Sequence, residues 1–525
     1  MRDRISPRRF IADERGAVAS TYALALVGLV VAAGVGYDYA QVATLDSELQ
    51  NAADQAALAG ATQLDGKSDA ITRAQTAAQT WVANSSIMAN DGGTSAVAID
   101  SASYAFYATK SDAEADTNPV TTGASAKYVK VNIVSRKAHY TLTPIISRVV
   151  QSGSINASAT AGLGSSICKV PPVMMCNPAE TTDPNFTINY VGRGFRLVSV
   201  GGNSFTPGNF GYIDTNASSG SPITELKSAL GWTSPPGDCL NADTLTTKPG
   251  ANTPVTDALN TRFDIYDNNA CPTGGNCPPS VNVTKDVIKA SNSSSCGTTG
   301  QGWSLPNPQY LPDPTTRLPV STPQNMGLPR DICHAVSSTG DCSGGAIGDG
   351  NWDRATYFSV NYPGFNWQSA MTAAYSTTAV TRYQVYRWEI AHASDSYGSG
   401  TIGSARAISG NGNGNGNGNG NGNTSFAYHG PICQPPGVNP ISATTDRRTF
   451  PVAVVNCTAA GINGRTTGVP IKKWVNAFLV EPSLQRTRTQ QTDVYVEIVS
   501  VNTVGAGTEA GAEQVVRRDK PYLVK

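Results

Sequence analysis

Charged side chains are scarce in this chain. The 38 Lys and Arg and 38 Asp and Glu make up 14% of 525 residues and cancel to zero net charge, against roughly 25% charged residues in ordinary soluble domains. No basic stripe is left over, so nothing points to nucleic acid as a partner. Histidine is rarer still. His139, His334, His392 and His429 are the four, and none stands in H-E-x-x-H or another paired spacing. G-x-S-x-G and G-x-x-x-x-G-K-[ST] are missing, and Gly192-Arg193-Gly194 alone makes no phosphate loop. No two cysteines are spaced C-x-x-C, which argues against a thioredoxin-like site or a zinc ribbon. These absences leave no catalytic constellation, no cofactor motif and no metal set, and a non-enzymatic protein is expected.

Two local patterns come closest to chemistry. Asp349-Gly350-Asn351-Trp352-Asp353 opens like a calcium loop, then fails where Arg354 replaces the turn glycine and Val360 the bidentate glutamate. A hydrogen-bonded turn is expected there. Asp331-Ile332-Cys333-His334 places a thiol beside an imidazole, but chain neighbours point apart. The expectation is a disulfide at Cys333 and a surface His334.

What the chain does have is one long charge-free run, Ala17 to Tyr37. At about 1.5 Å per helical residue it just crosses a hydrocarbon core of roughly 30 Å. Arg2, Arg4, Arg8, Arg9 and Arg15 outnumber Asp3, Asp13 and Glu14 before it. The positive-inside rule then holds residues 1–16 in the cytoplasm as a basic tail and sends the body outward. The run exceeds the roughly 7–15 residues of a signal-peptide core and no clean A-x-A site follows, so a retained anchor over 17–37 is expected. Within it Gly28, Ala32 and Gly36 form a ridge of small residues at every fourth position, the pattern that admits a close helix partner in lipid.

The helix is expected to continue as a stem over 38–88. Val42, Leu45, Leu49, Ala52, Ala56 and Ala59 recur at spacings of three and four, with polar residues on the other faces. Alanine in half the stripe predicts an amphipathic helix lying on its own domain in preference to a free coiled coil. Gly60 and Gly66 mark candidate breaks, and a second helix is expected from Ser68 to Ala83 with Ile71, Ala74, Ala78 and Trp81 on one side. Strand patterns follow at Ala96–Tyr107, Lys127–Val134, Ala138–Leu142 and Ser152–Gly162, a small antiparallel sheet over 89–165.

From 166 to 525 the chain is rich in Gly and Pro, and a loop-rich, mainly β body is expected. Strand-like pieces are Phe186–Val191, Phe195–Val200, Arg262–Tyr266, Tyr357–Val360 and Tyr383–Ile390. Gly410–Asn423 alternates Gly and Asn without exception and reads as a low-complexity linker over 410–423. Thr449–Asn456, Trp474–Val480 and Asp493–Val499 suggest a compact C-terminal sheet over 445–500. The ten cysteines, Cys168, Cys176, Cys239, Cys271, Cys277, Cys296, Cys333, Cys342, Cys433 and Cys457, all lie beyond the anchor, and their even count fits disulfides in an oxidising periplasm. Local pairs Cys168–Cys176, Cys271–Cys277, Cys333–Cys342 and Cys433–Cys457 are compatible with the spacing, which does not fix connectivity. The fold class is therefore α+β: a transmembrane helix, a periplasmic helical stem, then a mainly antiparallel, disulfide-braced body.

The block Arg15–Ala61 resembles the TadE/TadG-like family of Flp (tight-adherence) pilus-assembly proteins. Arg15-Gly16-Ala17, Tyr37-Asp38 and Leu49-Gln50-Asn51-Ala52-Ala53-Asp54-Gln55-Ala56-Ala57-Leu58-Ala59-Gly60-Ala61 carry the likeness. Looser TadG-type echoes run through Cys176-Asn177-Pro178, Pro207–Tyr212, Asn260–Tyr266, Val452–Cys457 and Pro521–Val524. The resemblance implies an inner-membrane protein with a periplasmic body. Its partners would be other membrane and periplasmic proteins of pilus assembly, and its role would support surface attachment. Two family features do not carry over. Prepilin-like members are cut after a Gly with Glu at the fifth position beyond, where this chain has Thr21 after Gly16. The D-x-S-x-S metal motif of von Willebrand A domains, present in some relatives, does not occur here. The competing class is an envelope-anchored adhesin exposed at the cell surface.

Overall fold

A computed structural model of the chain describes residues 17–81, 99–138, 140, 142, 152–168, 171–199, 205–215, 222–237, 240–241, 244–248, 253–299, 302–398, 400–408, 424–433, 446–502 and 516–524. The basic tail, the Gly410–Asn423 tract and Cys239 fall outside these residues. Two compact units emerge, residues 1–164 with 519–525, and residues 165–518.

The first unit begins with α1, Ala17–Ala61, one unbroken helix of about 65 Å at 1.5 Å per residue. Gly60 does not break it. A Cβ there would stand 3.3 Å from the Ala74 carbonyl oxygen and 3.4 Å from Val129 Cγ1, so glycine lets α1 approach its neighbours. Gly66, at φ +81°, makes the turn instead, and α2 follows at Ala70–Trp81. Strands β1 (Ile99–Tyr107), β2 (Tyr128–Arg136) and β3 (Ile155–Cys168) pair antiparallel in sequence order. The strand Val516–Val524 lies beside β3. The reading of 166–525 as one body is corrected here, because its end returns to complete the stem's sheet. No strand forms at Ala138–Leu142 among the described residues. Ala138 instead exchanges bonds with Ser152, whose amide donates to the Ala138 carbonyl at 2.9 Å and whose Oγ accepts the Ala138 amide at 2.9 Å.

The first unit's core lies between α1, α2 and one sheet face. Leu45, Leu49, Ala53, Ala56, Ala57 and Ala61 meet Ala74 and Ala78 of α2 and Val129, Val131, Ala159 and Ala161 of the sheet. The amphipathic helix thus lies on its own domain. The predicted stripe drifts at its end: Ala59 is only part-buried, while Gly60 and Ala61 turn inward. A straight 3.6-residue helix rotates away from a strict 3.5 repeat.

In the second unit the strands β4 (Val173–Cys176), β5 (Gly194–Ser199), β6 (Asn209–Ile213), β7 (Thr449–Val455), β8 (Val469–Leu479) and β9 (Asp493–Asn502) form a closed ring. The order is β7-β4-β6-β5-β9-β8, and β8 pairs back onto β7. β7–β4 and β5–β6 are parallel and the other pairs antiparallel. Alternate residues of all six strands, among them Val173, Leu197, Phe210, Val452, Val475 and Val496, enter one cluster. The opposite faces divide between two others, as a barrel with a filled interior requires. The strands of the expected C-terminal sheet form and pair, but within a larger ring: β7, β8 and β9 close only with β4–β6, and closure removes the exposed edges that three strands alone would present.

Helices α3 (Pro222–Gly231) and α4 (Thr253–Asn260) add Leu226, Leu230, Val255 and Leu259 to the barrel's cluster. Three more, α5 (Arg354–Asn361), α6 (Trp367–Tyr375) and α7 (Arg382–Ala391), pack outside it on Phe478, Val480 and Tyr495. The predicted strands at Tyr357–Val360 and Tyr383–Ile390 are therefore helices. Arg262–Tyr266 is a 3-10 turn ending at Asp264 in the left-handed region, and Phe186–Val191 is irregular, with Phe186 at φ +50°.

Among the described residues the disulfides are Cys176–Cys457, Cys271–Cys277, Cys296–Cys433 and Cys333–Cys342. The short pairs match the local spacing. Cys168–Cys176 and Cys433–Cys457 do not form, because barrel closure brings Cys176 beside β7 and folding places Cys433 beside Cys296.

Candidate functional site: the anchor helix and its docked stem

The first half of α1 has almost no protein around it. Val18, Tyr22, Leu24, Leu26, Val27, Leu29, Val30 and Val35 are each more than half exposed. Facing water, this surface would be unfavourable by about 25 cal/mol per Å² of apolar area. A bilayer removes that cost, and a helix satisfies its own backbone there. The segment is long and apolar enough to cross a membrane. Thr21, its hydroxyl bonded to the Val18 carbonyl at 2.8 Å, brings no unsatisfied donor into it.

Gly28, Ala32 and Gly36 are exposed, and nothing lies within 4 Å of where a Cβ on Gly28 or Gly36 would be. The ridge is bare in this structure. Gly34 and Asp38, one turn apart, are covered instead. A Cβ on Gly34 would stand 3.0 Å from Leu142 Cβ. The buried Asp38 carboxylate accepts the Leu142 amide at 3.1 and 3.3 Å. Sequence reasoning missed this junction, although Asp38 is the first charge after the apolar run. Beyond it Val42 and Ala59 flank the fully buried Leu45, Leu49 and Ala56, with Ala52 nearly so.

The second unit uses its chemically versatile side chains to hold its parts together. His334 is buried, not on the surface as expected. Its Nε2 bonds the Gly345 carbonyl at 2.8 Å and its Nδ1 meets the Tyr495 hydroxyl at 2.9 Å. Burial holds its pKa below the ordinary value, so the ring is neutral, donating through Nε2 and accepting from Tyr495. Cys333, His334 and Cys342 come within metal-binding distance of one another, but the two sulfurs are bonded together and both ring nitrogens are engaged. Asp353 caps α5, its Oδ1 accepting the Thr356 amide at 3.0 Å, so the calcium-like segment serves as a hydrogen-bonded turn.

Beside His334 a buried ion cluster ties α7 to the barrel wall. Arg382 contacts Asp331 on one side and Glu497 at 2.8 Å on the other. Glu497 also accepts the Arg382 and Tyr383 amides at 3.0 and 2.9 Å, capping α7 from β9. Burial pushes the Asp331 carboxyl up, but the Arg382 charge and two backbone amides outweigh it, and it ends below its ordinary value. Glu497 ends above its own, because burial exceeds what the same arginine returns. An open cleft of about 780 Å³ lies near the Cys333–Cys342 bridge, with Tyr190, Arg193 and the Arg317–Asp341 pair on its walls.

No curated protein and no solved structure matches the chain. One family model does, described as putative Flp pilus-assembly TadE/G-like, and it covers residues 16–63. Those limits enclose the whole of α1, both its bare apolar half and the half packed on the sheet. Residues 16–63 are thus similar to the TadE/G-like Flp pilus-assembly family, and the similar stretch is built on this helix.

Proposed function

We propose that this protein is an inner-membrane-anchored component of a Tad/Flp pilus-assembly system that supports surface adherence without catalysing a reaction. Residues 1–16 face the cytoplasm, 17–37 span the membrane, and the rest of the chain stands in the periplasm. The observation that carries this reading is the coincidence of the TadE/G-like segment with a helix that is bare through its apolar half and packed from Val42 onward. The disulfides suit an oxidising compartment. His334 and His429 serve packing and hydrogen bonding, which fits a scaffold better than an active site. The anchor holds the base, Gly28, Ala32 and Gly36 offer a face to partner helices, and the braced barrel contacts other assembly proteins.

The test is cross-linking from the periplasm in intact, piliated cells, followed by partner identification. The expected partners are membrane and periplasmic proteins of pilus assembly. Labelling from outside the cell with no such partners would replace this reading by a surface adhesin.

A further inference from the structure

Leu142 is docked on α1 at a definite height. Its amide bonds Asp38 and its side chain covers Gly34. Gly34 lies inside the charge-free run, three residues before its end at Tyr37, or about 4–5 Å at 1.5 Å per residue. The headgroup layer on each side of a bilayer is about 5–7 Å thick. If Tyr37 marks the edge of the hydrocarbon core, Leu142 is level with the boundary between acyl chains and headgroups.

The surroundings suit that level. Leu142 keeps 36% of its surface exposed, and Val35, Tyr37 and Tyr39 on α1 are exposed by 52, 52 and 73%. Tyrosine favours this layer, where its ring meets acyl chains and its hydroxyl meets water. Asp38, the charge closest to Leu142 along α1, is 2% exposed and turned onto the Leu142 amide, so it adds no open charge to the patch.

We propose that Leu142 makes a second membrane contact, an interfacial lipid-binding patch with Tyr37 and Tyr39 of α1 that sets how deep α1 sits and how the stem's sheet stands on the bilayer. The inference rests on α1 spanning a membrane, and its partner is the lipid surface itself.

The test uses the full chain reconstituted in vesicles of phosphatidylethanolamine and phosphatidylglycerol. An environment-sensitive fluorophore is attached, without reductant, to a cysteine introduced as Leu24→Cys, Leu142→Cys or Lys67→Cys. Lys67 has a side chain 75% exposed and is the aqueous control. Quenchers are lipids with a doxyl group deep in the acyl chain or near the headgroup, and iodide in the buffer. The expected result is loss of emission at 24 to the deep quencher, at 142 to the shallow one, and at 67 to iodide. Lipid quenching at 24, with 142 behaving like 67, would overturn the patch and leave the anchor standing. A probe at 142 shielded from both lipid and iodide would mean a protein covers the patch, which also overturns it. No lipid quenching at 24 would overturn anchor and patch together.

Discussion

Cys176 and Cys457 are bonded across 281 residues, their Cα atoms 5.3 Å apart, at the end of the parallel pairing in which Cys176 lies opposite Val455. The bond joins the first strand of the barrel to the segment after β7, where the chain closes the ring.

Cross-linking a longer loop removes more freedom from the unfolded chain. By the chain-entropy relation this bridge is worth about 5–6 kcal/mol, and the Cys271–Cys277 bridge about 2 kcal/mol. Replacing Cys176 and Cys457 together by serine should therefore lower the urea midpoint of the second unit more than replacing Cys271 and Cys277. Equal losses would mean that closure does not depend on the long bridge.

Gly162 lies opposite Tyr128 in the β2–β3 register, and a Cβ there would stand 2.4 Å from the Tyr128 ring. Tyr128 in turn meets Tyr522 of the strand Val516–Val524, hydroxyl to hydroxyl at 3.0 Å. Gly162→Val should displace the ring and loosen that strand. Hydrogen exchange should rise at residues 519–524 while the barrel strands keep their protection.

Leu49 is fully buried between α1 and the sheet, whereas Gln55 is exposed. Leu49→Ala should cost about 2–5 kcal/mol of the first unit's stability, and Gln55→Ala close to nothing. Denaturant melts of the two variants provide the comparison, and equal midpoints would contradict the packing described for the stem.

His429 is buried against Tyr362, with Nδ1 2.8 Å from the Thr284 hydroxyl. Burial, then the charges of Arg406 and Lys285, hold its pKa down to about 3 from an ordinary 6.5. Between those values the unfolded chain binds the proton and the folded chain does not. This contribution is thus present above pH 6.5 and falls away as pH drops toward 3, by about 1.4 kcal/mol per pH unit. His429→Asn should flatten the loss of stability between pH 6.5 and 4 relative to the unchanged protein, read from urea midpoints.

The parts of the fold legible in the sequence are those with a sustained pattern. The apolar run, the three-and-four stripe from Val42 and the β-branched runs at 449–456, 474–480 and 493–499 each declare one periodicity, and each forms the expected element. Short aromatic runs carry no such signal. Tyr383–Ile390 looked like a strand because its large residues crowd together, yet a helix start was present: Thr381 and Gln384 form a reciprocal capping box. The barrel was not legible, because its ring joins strands nearly three hundred residues apart in sequence. The docking of Leu142 on Gly34 and Asp38 was hidden for the same reason, since no local pattern relates residues 104 positions apart.

The central claim is that this chain supports pilus assembly from the membrane. Its most direct test is an in-frame deletion, complemented with the intact gene, in which surface pili are counted by electron microscopy alongside cells attached to a surface. The account predicts that pili and attachment fall together and that both return on complementation. Unchanged piliation and attachment in the deletion strain would contradict it.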